Sequence, residues 1–65
     1  MQANNMKEKR IARNMSMKDL SFETGISERY LYFIERGDKN PSLKTAKRIS
    51  NALNVRVDDI FFTKI

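Results

Sequence analysis

An all-α fold of five short helices is what this 65-residue sequence predicts. Three observations point there. Cap and stop residues cut the chain into pieces of helical length. Apolar residues recur within those pieces at helical spacing. No alternation of period two runs far enough to make a strand; Val55-Arg56-Val57 comes nearest, and it is too short. The seams are too short for domain linkers, and there are no internal repeats, so residues 1–65 read as one domain.

Each element follows from its ends. Asn5-Met6-Lys7-Glu8 has the form of a capping box, an Asx residue with Glu three positions later, and opens a helix over 6–13. Asn14 suits the left-handed position beyond it. Ser16 with Asp19 repeats the box and opens a helix over 17–24, stopped by Gly25. Ser27 caps a third helix over 28–36, stopped by Gly37. Asp38-Lys39-Asn40-Pro41 is turn chemistry, because the proline keeps Asn40 out of the helical region. Ser42 caps a fourth helix over 43–53, with Asn54 beyond its end. A last helix over 57–62 carries Asp58 and Asp59 in its first turn, where the helix dipole favours them. Spacing assigns Leu43, Ala46, Ile49 and Leu53 to the inner stripe of helix four. Met6, Met15, Leu20, Leu31, Ile34, Val55, Val57, Ile60 and Phe61 complete the expected core.

Composition narrows the chemistry. The chain has neither Cys nor His, so the usual acid–base group, thiolate sites and disulfides are all missing. Gly25 and Gly37 are the two glycines, too few for a phosphate-cradling loop. Asp58 and Asp59 are adjacent, so a helix turns them about 100° apart, poor geometry for a shared carboxylate site. No enzyme, metal or cofactor is expected, and no small-molecule effector is evident. Thirteen Lys and Arg against eight Asp and Glu give a net charge of +5, suited to phosphate backbones or an acidic surface. The basic residues line no amphipathic, lipid-facing stripe, which disfavours a membrane-surface role. Neither a leader-like start nor a membrane-length apolar run is visible, so a cytoplasmic protein is expected.

The segment "SMKDLSFETGISERYLYFIERG" has the proportions of a helix-turn-helix: two short helices around a small Gly-containing turn. Together with "KEKRIARNMS", "YLYFIERGDKNPSL", "ALNV" and "DDIF", it resembles the lambda-repressor-like, Cro/CI and Xre-type helix-turn-helix domain. The likeness covers about residues 5–61, with the helix-turn-helix unit at about 17–36. It implies a five-helix, DNA-binding transcriptional regulator, a repressor acting as a homodimer on a near-palindromic operator.

The resemblance also implies roles for single residues. Base-reading positions of helix three fall on Ser27, Glu28, Arg29, Tyr32 and Phe33. Phosphate-contacting positions fall on Met17, at the start of helix two, and on Lys39, Asn40, Ser42 and Lys44 before and at the start of helix four. Met17 stands where Gln is usual, so only its backbone N–H suits a phosphate. Arg10 and Glu35 correspond to a structural ion pair. Thr24, Ser21 and Arg56 depart from the usual apolar or capping residues and are expected to weaken packing. Phe62 and Ile65, beyond the last core residue, form the expected dimer patch.

Half of the chain's six aromatics lie in helix three, and two readings of it remain open. Periodicity groups Tyr30, Leu31, Phe33 and Ile34 on one arc, which makes Phe33 core. The family frame turns Leu31, Ile34 and Glu35 inward and leaves Arg29, Tyr32, Phe33 and Arg36 outside, with Phe22 also outward on helix two. If exposed, the aromatics serve DNA contact or, alternatively, a protein partner of an antitoxin-like interaction module. Arg29 has the donors to take guanine O6 and N7 together.

Overall fold

The computed structural model describes residues 4–61. Five helices follow one another: α1 (Met6–Ala12), α2 (Met17–Thr24), α3 (Glu28–Arg36), α4 (Leu43–Leu53) and α5 (Val57–Ile60). No strand occurs among the described residues.

The stops behave as the local chemistry requires. Asn14, Gly25, Gly37 and Asn54 all take positive φ, at 60°, 75°, 88° and 58°. That conformation lets the chain turn back and cover the last carbonyls of the helix before it. Met15 N–H donates to Arg10 O at 3.1 Å, Asp38 N–H to Phe33 O at 2.9 Å and Val55 N–H to Ser50 O at 3.0 Å. Helices α1, α3 and α4 therefore share one Schellman ending.

The starts are more varied. Ser16 and Asp19 complete a reciprocal box, with both hydrogen bonds at 3.0 Å. Ser27 accepts from Tyr30 N–H at 3.1 Å, and Ser42 from Thr45 N–H at 3.2 Å. At α5, Arg56 has no capping side chain, and Asp59 Oδ2 instead accepts from the Arg56 N–H at 3.0 Å. The box expected at Asn5 and Glu8 does not form, since Asn5 makes no side-chain cap bond. Its amide is drawn away to donate to Asp59 O at 3.2 Å, and Asn4 takes over, its Oδ1 accepting from Met6 N–H at 3.0 Å. Two boundaries also shift. Helix α1 ends at Ala12, with Arg13 as its cap, and α5 ends at Ile60.

The core is a cluster of Met6, Leu20, Leu31, Ile34, Ile49, Leu53 and Ile60, with Met15, Met17, Ile26, Ala52, Val55 and Phe61 packed partly buried against it. Ala46 is buried too, but Leu43 is 61% exposed, so the first turn of α4 projects past the core and the expected stripe begins at Ala46. Helix α2 sits at the centre, packed on both α3 and α4. Asn4, two positions before α1, acts as a staple: buried, it also donates to Ile34 O at 2.8 Å, tying this segment to the end of α3.

The polar departures in α2 do not weaken the packing. Buried Thr24 donates to Leu20 O at 2.8 Å and accepts from Ile26 N–H at 3.2 Å. Ser21 donates to Ile26 O at 2.6 Å. Both hydroxyls are satisfied within the turn, where an apolar residue would leave the Ile26 amide and carbonyl without these partners.

Candidate nucleic-acid interface

The candidate interface is built by the way α3 is set against α1 and α2. Gly25, Ile26 and Ser27 make the turn between α2 and α3. Gly25 ends α2 in the left-handed region, its N–H donating to Ser21 O at 2.8 Å. Ser21 and Thr24 fix Ile26, and Ser27 starts α3. This chain of local bonds sets the angle between the two helices. Leu31 and Ile34 then anchor α3 in the core.

A charged clamp holds the other side of α3. Arg10 Nε donates to Glu35 Oε2 at 2.9 Å and Nη2 to Oε1 at 3.2 Å. Arg10 Nη1 donates to Met15 O at 2.8 Å. The side chains are 13% and 9% exposed, so the pair is nearly shut off from water. One guanidinium thus joins α1, the α1–α2 connection and α3. Its planar fork suits this bidentate contact, which a lysine cannot copy.

With Leu31, Ile34 and Glu35 inward, Arg29, Tyr32 and Arg36 are exposed. Phe33 falls between the two readings of the sequence. It is partly buried but stays out of the buried core cluster. Its ring meets Tyr32 at 6.5 Å between centroids and carries the Arg29 guanidinium 5.9 Å above its centre. Arg36 lies 5.4 Å over the Tyr32 ring and pairs with Asp38 at 3.3 Å. Ser27 and Glu28, at the start of α3, are exposed.

A concavity of about 480 Å³ opens between α1, the start of α2 and α3, and its lining includes Lys7, Met17, Arg29, Tyr32 and Glu28 above the Arg10–Glu35 clamp. Lys7 was not singled out from the sequence. It joins the set because α1 passes beside α3, a neighbourhood that periodicity within one helix cannot reveal. The Met17 side chain turns toward the core, leaving its backbone at the rim. Lys39, Asn40, Ser42 and Lys44 are all exposed. Ser42 is committed locally, since its hydroxyl also bonds Thr45 Oγ1 at 3.1 Å. Phe62 and Ile65 lie outside the described residues.

A helix-turn-helix family model matches residues 6–60. The chain belongs to the Xre and Cro/CI-like helix-turn-helix family. Members of this family are DNA-binding transcriptional regulators, and no enzyme activity defines it. Similar proteins agree across archaea and bacteria. The helix-turn-helix chain is 38% identical over 56 residues to an HTH-type transcriptional regulator of Archaeoglobus fulgidus, covering 86% of this chain and 79% of that one. It is 43% identical over 53 residues to the control protein C.BamHI of Bacillus amyloliquefaciens, covering 80% and 65%. The crystal structure of the restriction-modification controller protein C.AhdI from Aeromonas hydrophila superimposes with a TM-score of 0.80 at 29% identity, covering 85% and 83%. No described helix is long and apolar enough to cross a membrane.

Proposed function

We propose that this helix-turn-helix protein is a sequence-specific transcriptional repressor that binds a near-palindromic operator as a homodimer, with α3 in the major groove. The observation that carries the reading is the outward stripe of α3. Arg29 and Tyr32 share it, and Arg29 has no carboxylate within ion-pairing distance among the described residues. An exposed, unneutralised arginine at the leading end of such a helix is the side chain best suited to a guanine edge. Ser27 and Glu28 flank it as further base-facing groups, and Tyr32 suits a thymine methyl or sugar.

Affinity comes from phosphates. Lys39, Lys44 and Asn40 hold the backbone from one side, the Met17 N–H and Lys7 from the other. Two copies using Lys7, Lys39 and Lys44 neutralise six phosphates, so log K falls against log salt with a slope of about −5. A single α3 spans only a few base pairs; a second copy about 34 Å away doubles the site. Phe62 and Ile65 are the proposed contact between copies, and the cytoplasm is the proposed compartment. The names of C.BamHI and C.AhdI, a control and a controller protein, support a role in regulation.

Selection of bound duplexes from a random pool tests the reading. Two inverted half-sites about one helical turn apart are expected, with binding that weakens steeply as salt rises. Recovery of an unenriched pool at every salt concentration contradicts it and favours the rival reading, a protein partner for the aromatic face.

A further inference from the structure

We propose that Phe33 acts on DNA only through Arg29: its ring seats the guanidinium, and Phe33 is a positioning residue rather than a base reader. The inference rests on the reading of α3 as the groove-entering helix.

Arg29 and Phe33 are four positions apart, neighbours on one helix face. The Arg29 Cζ stands 5.9 Å from the ring centre, inside the distance at which a ring face attracts a cation. Phe33 is itself fixed. It is partly buried, its ring centre lies 6.5 Å from that of Tyr32, and its carbonyl accepts from Asp38 N–H at 2.9 Å. A ring with one face under a guanidinium and a flank against another ring offers little to a thymine methyl. The seat, by contrast, gives Arg29 what an exposed arginine lacks. A long side chain held near its working position loses less freedom when it meets a base edge.

The other aromatic–arginine pair of α3 shows why Arg29 is the one seated for reading. Arg36 rests on Tyr32 at 5.4 Å, but it also meets the Asp38 carboxylate at 3.3 Å, which offsets its charge. No such carboxylate partners Arg29 among the described residues. Helix α3 thus carries two stacked arginines of different kinds, one tied down at its C-terminal end and one held but chemically unused near its start.

The test is competition binding of the wild-type chain, Phe33→Leu, Phe33→Met and Phe33→Tyr on the selected operator and its single-base variants. Each is measured with Arg29 present and in the Arg29→Ala background. Leu and Met keep apolar bulk without a ring, so they guard against one of them failing to fold; Tyr keeps the ring. Loss of the ring lowers guanine preference at the Arg29-dependent position by about two- to fivefold. Affinity for an unselected duplex stays within about twofold, and Phe33→Tyr retains the preference. In the Arg29→Ala background the ring substitutions change nothing further. A change in preference at a different base pair, or one that persists without Arg29, overturns the proposal by showing that Phe33 touches a base itself. So does an unchanged guanine preference in Phe33→Leu and Phe33→Met. If the wild-type chain shows no preferred duplex, the groove-entry reading falls and takes this proposal with it; that outcome is distinct, because it appears before any variant is compared.

Discussion

Removing Glu35 by Glu35→Ala isolates what holds α3 in place. The substitution deletes two charge-assisted hydrogen bonds, at 2.9 and 3.2 Å, from a guanidinium that is 13% exposed. Arg10 keeps its bond to Met15 O, so it is not wholly abandoned. Breaking one side of a fully buried pair costs about 3–5 kcal/mol, and the remaining Met15 bond brings the expectation here to about 2–4 kcal/mol. A chain of this size is stable by only about 3–10 kcal/mol, so the loss is a large share of the total. Urea unfolding at pH 7 with linear extrapolation reads it directly. The structure further predicts strong non-additivity. Arg10→Met loses the same pair, so Arg10→Met/Glu35→Ala is far less destabilised than the sum of the two single variants. A cost below about 0.5 kcal/mol for Glu35→Ala, in the range of an exposed ion pair, refutes the clamp. Simple additivity in the double variant refutes it equally.

Two further predictions concern the turn before α3 and the cap that opens α2. Gly25 has φ of +75°, and a Cβ there meets nothing within 4 Å, so Gly25→Ala carries backbone strain alone. A loss of about 1–2 kcal/mol is expected in thermal or urea unfolding, with Gly25→Asn milder, since Asn14 and Asn54 already occupy this region. Asp19 has its carboxyl held below the ordinary value, first by the Ser16 backbone N–H and then by the Ser16 side chain, against desolvation, with a smaller contribution from the Lys18 charge. A depressed carboxyl stabilises the fold above its unfolded pKa and loses that contribution as pH falls through the folded one. The melting-temperature advantage of wild type over Asp19→Asn therefore stays level from neutral pH down to about pH 5, then shrinks below about pH 4. An advantage that grows with acid contradicts the assignment.

Where the sequence was legible, the signals were local. Ser16, Ser27 and Ser42 cap within three residues of themselves, and Gly25, Gly37 and Asn54 stop their helices through their own φ, so α2, α3 and α4 have the boundaries their end residues specify. Elsewhere a residue answers to a partner that its own helical period does not show. Asn5 does not cap α1 because its amide serves Asp59, fifty-four positions away, and Asn4 is a staple because Ile34 lies thirty positions on. Leu43 obeys the helical period but sits in a turn that overhangs the core. Phe33 is neither core nor plainly exposed, with an arginine and a tyrosine of its own helix beside its ring. Thr24 and Ser21 looked like packing defects only while their partner, the backbone of Ile26, was out of view. The meeting of Arg10 with Glu35 came from family likeness, since periodicity within either helix says nothing about the other.

In the proposed function, α3 reads bases through Arg29 while lysines outside it hold phosphates. Equilibrium binding of wild type, Arg29→Ala and Lys44→Ala to the selected operator, its single-base variants and an unrelated duplex, across a range of salt, tests it most directly. Arg29→Ala is expected to lose about 1–3 kcal/mol of discrimination at one guanine position per half-site. Lys44→Ala weakens all duplexes alike and lowers the magnitude of the salt slope by about one for each phosphate it leaves unneutralised. Uniform weakening by Arg29→Ala, with the base preference intact, contradicts the claim.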